Sequence, residues 1–142
     1  ESVLNASVPE TFIKNKVYYG QTHTTVESAR TAILNTFNDG ALFINYIGHA
    51  YYTGWAYEDL FTTNDVSSLT NSTKLPVVLA MTCYEGYFHR PNPLGTNAEA
   101  LAEVVTNAQG GGAVASFSPA GLGVASGHDV LNRGFYTAFF DH

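Results

Sequence analysis

Two short apolar runs constrain this chain more than any other feature, because each ends abruptly at a residue fit for acid–base or nucleophilic chemistry. Residues 41–48 include Phe43, Ile44 and Ile47, close on Gly48 and are followed by His49. Residues 75–82 include Val77, Val78, Leu79 and Met81 and are followed by Cys83, the only cysteine of 142 residues. Both runs are too short for ordinary helices and rich in apolar and β-branched residues, so they read as interior parallel strands. In open α/β sheets, ligands and chemistry gather just beyond the carboxyl ends of the strands. If these two strands are neighbours, an imidazole and a thiol share that edge. A thiol beside a general base is the minimum equipment of a cysteine nucleophile.

The remaining pattern supports that sheet. Residues 16–20 suggest a short first strand. Thr24 or Thr25 is placed to cap a helix through about Asn38, with Val26, Ala29, Ile33, Leu34 and Phe37 on one face and Gly40 as its stop. Residues 49–61 read as an irregular aromatic loop. A short helix is predicted from Asn64 or Asp65 to Leu69, and a longer one from Thr96 or Asn97 to Asn107 with Ala98, Leu101, Ala102 and Val105 inward. Residues 113–118 read as a strand, 119–127 as a glycine-rich loop, and 129–140 as the last helix. Strands and helices thus alternate, with short connections. That order predicts a mostly parallel sheet of about four or more strands with helices on both faces.

Composition narrows the partners. The formal net charge is −6, charged residues make up 13%, and no basic cluster occurs, so nucleic acid and anionic membrane surfaces are poor partners. No apolar run reaches the 18 or so residues of a membrane span. One cysteine rules out an internal disulfide. The chain opens at Glu1 with no signal peptide and is read as a piece of a longer protein. Residues 1–16 are taken as a linker or a remnant of a preceding segment, and 17–142 as the domain. Asn5 and Asn71 begin N-glycosylation patterns too short to carry weight.

Within this frame Cys83 stands where the chain turns polar after a strand, a setting in which a nearby histidine lets a thiol ionise near neutral pH. His49 follows Gly48, which permits a sharp turn. His23, His89, His128 and His142 have no comparable setting. No two histidines stand at ligand spacing, so neither a metal nor another cofactor is expected. In the aromatic loop Trp55 is the best candidate for a pocket wall. Glu85 is a candidate to orient a histidine or meet a basic side chain of a substrate. Glu99 reads as a first-turn helix carboxylate. Gly110, Gly111 and Gly112 precede a strand and lack the lysine of a phosphate loop.

The segments 45–49, 75–83 with Gly86 and Phe88, 98–101, 111–115, and Ser118 to Leu122 continuing to Arg133 together resemble the gingipain-type cysteine peptidases, of the same clan as caspases. The resemblance covers roughly residues 30–140, in the family's order. It implies a caspase-like three-layer α/β sandwich and hydrolysis of peptide bonds. By the matching positions Cys83 attacks the scissile carbonyl and His49 serves the leaving amine. The backbone N–H groups of Cys83 and Ala50 form the oxyanion hole. The loop around Ser118 lines the substrate pocket. The family pattern has glycine where this chain has Ala50, a difference that matters if φ there is positive. The histidine's acidic partner comes from well upstream in gingipains and is not assigned here. The resemblance also implies a secreted or cell-surface bacterial protein acting on protein or peptide, with further domains in the parent chain. The leading reading is therefore a cysteine endopeptidase. The alternatives are a catalytically inactive module that binds peptide or a partner, and a Cys–His amidase or acyl transferase.

Overall fold

In the computed structural model, which describes residues 6–89 and 98–141, the chain lays helices on both faces of a parallel sheet. The first helix, α1, spans Val26–Asp39. Thr25 caps it by accepting the Ser28 N–H at 3.1 Å, while the Ser28 hydroxyl receives the Thr25 N–H at 3.4 Å. Its buried stripe is Ala29, Ile33 and Phe37, and Gly40 ends it with φ +92°, a value L side chains rarely adopt. Strand β1, Phe43–Ile47, follows at once.

Three two-residue strands then fold back on one another: β2 (Ala50–Tyr51), β3 (Gly54–Trp55) and β4 (Phe61–Thr62). They form a separate antiparallel sheet, with Ala50 opposite Trp55 and Trp55 opposite Phe61. A one-turn helix α2 spans Thr63–Val66, and strand β5 spans Val77–Met81. Helix α3 (Leu101–Asn107), strand β6 (Ala115–Phe117) and helix α4 (Ala125–Phe140) complete the order.

Strands β1, β5 and β6 make the parallel sheet, with β5 central. Alternation along β5 divides the core. Val78 and Ala80 pack with Ala29, Ile33 and Phe37 of α1 and with Leu101 and Val105 of α3. Leu79 and Met81 point to the opposite face, against Tyr136 of α4, with Phe43 and Phe140 packed beside them. Period-two burial on a strand covered on both faces is why its sequence reads as an unbroken apolar run.

The parallel sheet has three strands among the described residues, not four or more. The predicted first strand, residues 16–20, keeps only an isolated bridge between Tyr19 and His23. The Tyr18 N–H donates to the Thr22 hydroxyl at 2.9 Å and the Tyr18 carbonyl accepts from His23 N–H at 3.1 Å. A turn that satisfies its own backbone offers nothing to a neighbouring strand.

Helix α2 starts before Asn64 because Asp65 accepts the Thr62 N–H at 2.8 Å from inside the first turn, rather than capping from outside it. Helix α3 begins at Leu101, so Ala98 is exposed and Glu103, not Glu99, is the first-turn carboxylate, accepting the Ala100 N–H at 2.8 Å. Thr96 and Asn97 lie outside the described residues. Helix α4 begins four residues earlier than the sequence suggests. Asn71 is buried and tied to both backbone groups of Gly112 at 2.8 Å, so the three glycines serve a packed turn.

Candidate active site

The register of β1 against β5 builds the site. Ile47 is paired with Met81, the last residue of each strand. His49 and Cys83 each stand two residues further on, so the two strands deliver them to the same carboxyl edge at the same level. The Gly48 N–H reaches the Met81 carbonyl at 3.5 Å and carries the pairing one step past the strands. Both residues line one cleft of about 420 Å³, together with Ile47, Met81, Gly123, His128, Asp129 and Asn132.

Local hydrogen bonds fix each side of the cleft. Tyr84, next to the thiol, takes φ +58°, an uncommon conformation for a bulky residue. Its N–H donates to the Gly121 carbonyl and the Gly86 N–H donates to the Pro119 carbonyl, both at 3.0 Å. These bonds bind the turn after Cys83 to the loop after β6. The half-buried Cys83 thiol faces the Gly123 carbonyl, with Sγ 3.9 Å from the oxygen. His49 is exposed, and its ring lies 6.1 Å from that of Tyr57. The His49 carbonyl accepts the Tyr46 hydroxyl at 2.6 Å and the Ala56 N–H at 2.7 Å. Helix α3 joins both loops, since its Leu101 N–H donates to Tyr52 O at 2.7 Å and its Ala102 N–H to Glu85 O at 3.1 Å. These are the N-terminal helix donors that have no partner within their own helix.

The family model for Peptidase family C25 matches residues 1–142. The chain belongs to that family. It is 39% identical over 56 residues to Gingipain R2 of Porphyromonas gingivalis, a match covering 39% of this chain and 8% of that relative. Gingipain R1 of the same organism matches equally, over 6% of its length. Among solved structures it is similar to the complex of Porphyromonas gingivalis RgpB pro- and mature domains, with TM-score 0.62 and 30% identity over 75% of this chain and 26% of that one. The crystal structure of the Arg specific cysteine proteinase gingipain R gives TM-score 0.63 and 28% identity over 77% and 26%. The chain therefore spans about a quarter of these solved chains and under a tenth of the curated relatives. The fold is the gingipain, caspase-like α/β fold, and the relatives are bacterial cysteine peptidases.

Within this family C25 chain the candidates from the sequence part company. His49, Cys83 and the backbone of Ala50 gather at the sheet edge. Ala50 lies in β2 and is not among the positive-φ residues Ala56, Asp59, Ser72 and Tyr84, so alanine in place of glycine costs no strain there. Trp55 is a correction. It is 2% exposed, stacks on Tyr46 with centroids 4.5 Å apart and planes 2° from parallel, and is absent from the cleft lining. A flat aromatic between two sheets is worth more as core than as a wall.

Glu85 neither orients a histidine nor meets solvent. It is fully buried, and its Oε2 accepts the Trp55 indole N–H at 2.7 Å. Burial pushes its carboxyl up to about 8, an effect that the Trp55 indole and the nearby Ser118 hydroxyl only partly offset. Ser118 lines a smaller cavity of about 150 Å³ that shares Met81 and His128 with the cleft.

His128 is the residue the sequence reading passed over. It stands in the first turn of α4, and its imidazole packs onto Gly123 so closely that a Cβ there would fall 1.9 Å from Nε2. The signal lay in Gly123 itself, a position that must stay small for the ring to approach.

Proposed function

We propose that this chain carries the nucleophile and general acid–base pair of a secreted or cell-surface cysteine endopeptidase, with residues 17–142 forming part of a caspase-like catalytic domain in a longer parent protein. The observation that carries the reading is the β1–β5 register, which delivers His49 and Cys83 to one edge and one cleft. The Cys83 thiolate attacks the scissile carbonyl carbon, forming a C–S bond and a tetrahedral oxyanion. The N–H groups of Cys83 and Ala50 stabilise that oxyanion. The C–N bond breaks as the protonated His49 imidazole gives its proton to the departing amine, leaving a thioester. Water, deprotonated by His49, attacks the thioester and releases the acid, and the thiol regains its proton.

The substrate is protein or peptide, met at the cleft on the carboxyl edge of the sheet. The reading is tested by the alkylation rate of Cys83 against pH, with and without His49→Ala, alongside peptide hydrolysis by Cys83→Ala. An inflection well below the ordinary thiol value of about 8.5, abolished with His49, together with loss of hydrolysis in Cys83→Ala, is the expected result. Undiminished hydrolysis by Cys83→Ala would overturn the assignment. An ordinary thiol inflection with peptide binding but no turnover would favour the inactive binding module, and turnover of small amides or esters alone an amidase or acyl transferase.

A further inference from the structure

We propose that Tyr46, braced from behind by Trp55 and Glu85, is a positioning residue that aims the Ala50 N–H of the oxyanion hole by anchoring the His49 carbonyl. The inference rests on the catalytic reading above and extends it to residues that touch no substrate.

The peptide unit joining His49 to Ala50 is planar and trans, so its C=O and N–H point in opposite directions. Fixing the carbonyl fixes the N–H. Two donors hold the carbonyl: the Tyr46 hydroxyl at 2.6 Å and the Ala56 N–H at 2.7 Å. Rotating this peptide would break both bonds at once. The Ala56 donor belongs to the backbone just after β3. The Tyr46 donor sits at the end of a side chain that would otherwise be free to swing.

Three observations show why it does not swing. The Tyr46 ring lies flat on Trp55, with planes 2° apart. The indole is pinned in turn by its 2.7 Å bond to Glu85, whose own backbone carbonyl accepts the Ala102 N–H of α3. Gly48 leaves room for the phenol to cross the turn, since a Cβ there would fall 2.6 Å from the Tyr46 hydroxyl oxygen. Burial holds the phenol pKa well above its ordinary value, so the hydroxyl remains a donor throughout the working range of pH. The braces run from the Cys83 turn, through Glu85, Trp55 and Tyr46, to the His49 turn. Both halves of the site are thereby held at a fixed spacing by groups outside the cleft.

Tyr46→Phe tests this, because it deletes one hydroxyl and keeps the stacked ring. Alkylation of Cys83 by iodoacetamide is a displacement at carbon that forms no oxyanion, so it reads thiol ionisation alone. Peptide hydrolysis needs the oxyanion hole as well. Tyr46→Phe is expected to lower kcat about ten-fold with little change in KM and no change in the pH profile of alkylation. The loss falls short of the roughly 10²–10³ for deleting an oxyanion donor, because the Ala56 N–H still holds the carbonyl. Gly48→Ala, which displaces the hydroxyl, is expected to make Tyr46→Phe nearly silent when the two are combined. Hydrogen exchange at the Ala56 amide, which needs no turnover, is expected to speed up about ten-fold in Tyr46→Phe.

An unchanged kcat in an active parent, or an Ala56 amide that exchanges at the parent rate, would overturn the proposal. So would a kcat loss accompanied by an equal loss of alkylation, which marks a general loosening of the dyad. A parent that fails to cleave peptides refutes the catalytic reading instead, and an Ala56 amide that exchanges in Tyr46→Phe at the parent rate still overturns the anchoring of the carbonyl.

Discussion

Replacing Glu85 with glutamine should remove a pH dependence from folding. The side chain is fully buried beside Trp55, and burial raises its pKa from 4.5 to about 8. Between those two values the folded chain keeps the proton and the unfolded chain has released it. Raising the pH through that window therefore favours unfolding, by about 1.4 kcal/mol per pH unit from this one group. The folded state loses about 3 kcal/mol on this account between pH 4.5 and pH 7. Below 4.5 the contribution is whole, and above about 8 nothing further is lost. Glu85→Gln keeps an oxygen to accept the indole N–H and cannot titrate. Urea unfolding followed by the fluorescence of Trp55, the only tryptophan, measures both proteins at several values between pH 5 and 8. The stability of the variant relative to the parent should climb by about 1.4 kcal/mol per unit across that range. A flat difference would show that Glu85 is ionised in the fold at neutral pH and would refute the burial argument.

Two further outcomes follow from the site. Ala50→Gly should leave kcat within about two-fold, since Ala50 has no positive φ to relieve, and should cost about 0.5–1 kcal/mol in thermal unfolding through added chain freedom; a large gain in kcat would mean the Ala50 peptide is strained after all. His128→Ala should keep the His49-dependent inflection of Cys83 alkylation, because the His128 ring is wedged on Gly123 and is not free to swing between thiol and leaving amine; loss of the inflection would make His128 the base.

The parts of the fold that were legible in the sequence are those in which a local pattern and the tertiary role coincide. Strands β1 and β5 are covered on both faces, so their burial is written as continuous apolar runs, and the residues that end those runs mark the sheet edge. Helix α1 shows its stripe and its cap in the open. The small antiparallel sheet left no such trace, because strands of two residues are shorter than any period. His128 was hidden for a related reason. Ser126 and Gly127 favour loops, which masked the first turn of α4 and with it the imidazole's place over the cleft. Glu85 sits among polar residues and reads as surface, and only the indole that meets it shows that the turn after Cys83 folds inward. The predicted first strand failed the other way: Val17, Tyr18 and Tyr19 have strand character, but Thr22 and His23 take the backbone bonds that a sheet would have used.

The same loops explain why glycine recurs around the site without a positive φ at Gly48, Gly86 or Gly123. At each of the three a Cβ would intrude below 3 Å: 2.6 Å from the Tyr46 hydroxyl, 2.8 Å from the Ser118 carbonyl oxygen, and 1.9 Å from the His128 ring. These glycines serve close approach, not chain reversal. Gly48 admits the phenol that anchors the His49 carbonyl, Gly86 lets the Cys83 turn lie on the loop after β6, and Gly123 seats the second imidazole. The strands fix only the level at which His49 and Cys83 emerge. Their facing geometry depends on three close contacts of these turns, with β1, with the loop after β6 and with the first turn of α4, each of which a single added methyl group would disturb, so substitutions here should impair the site before they unfold the sheet.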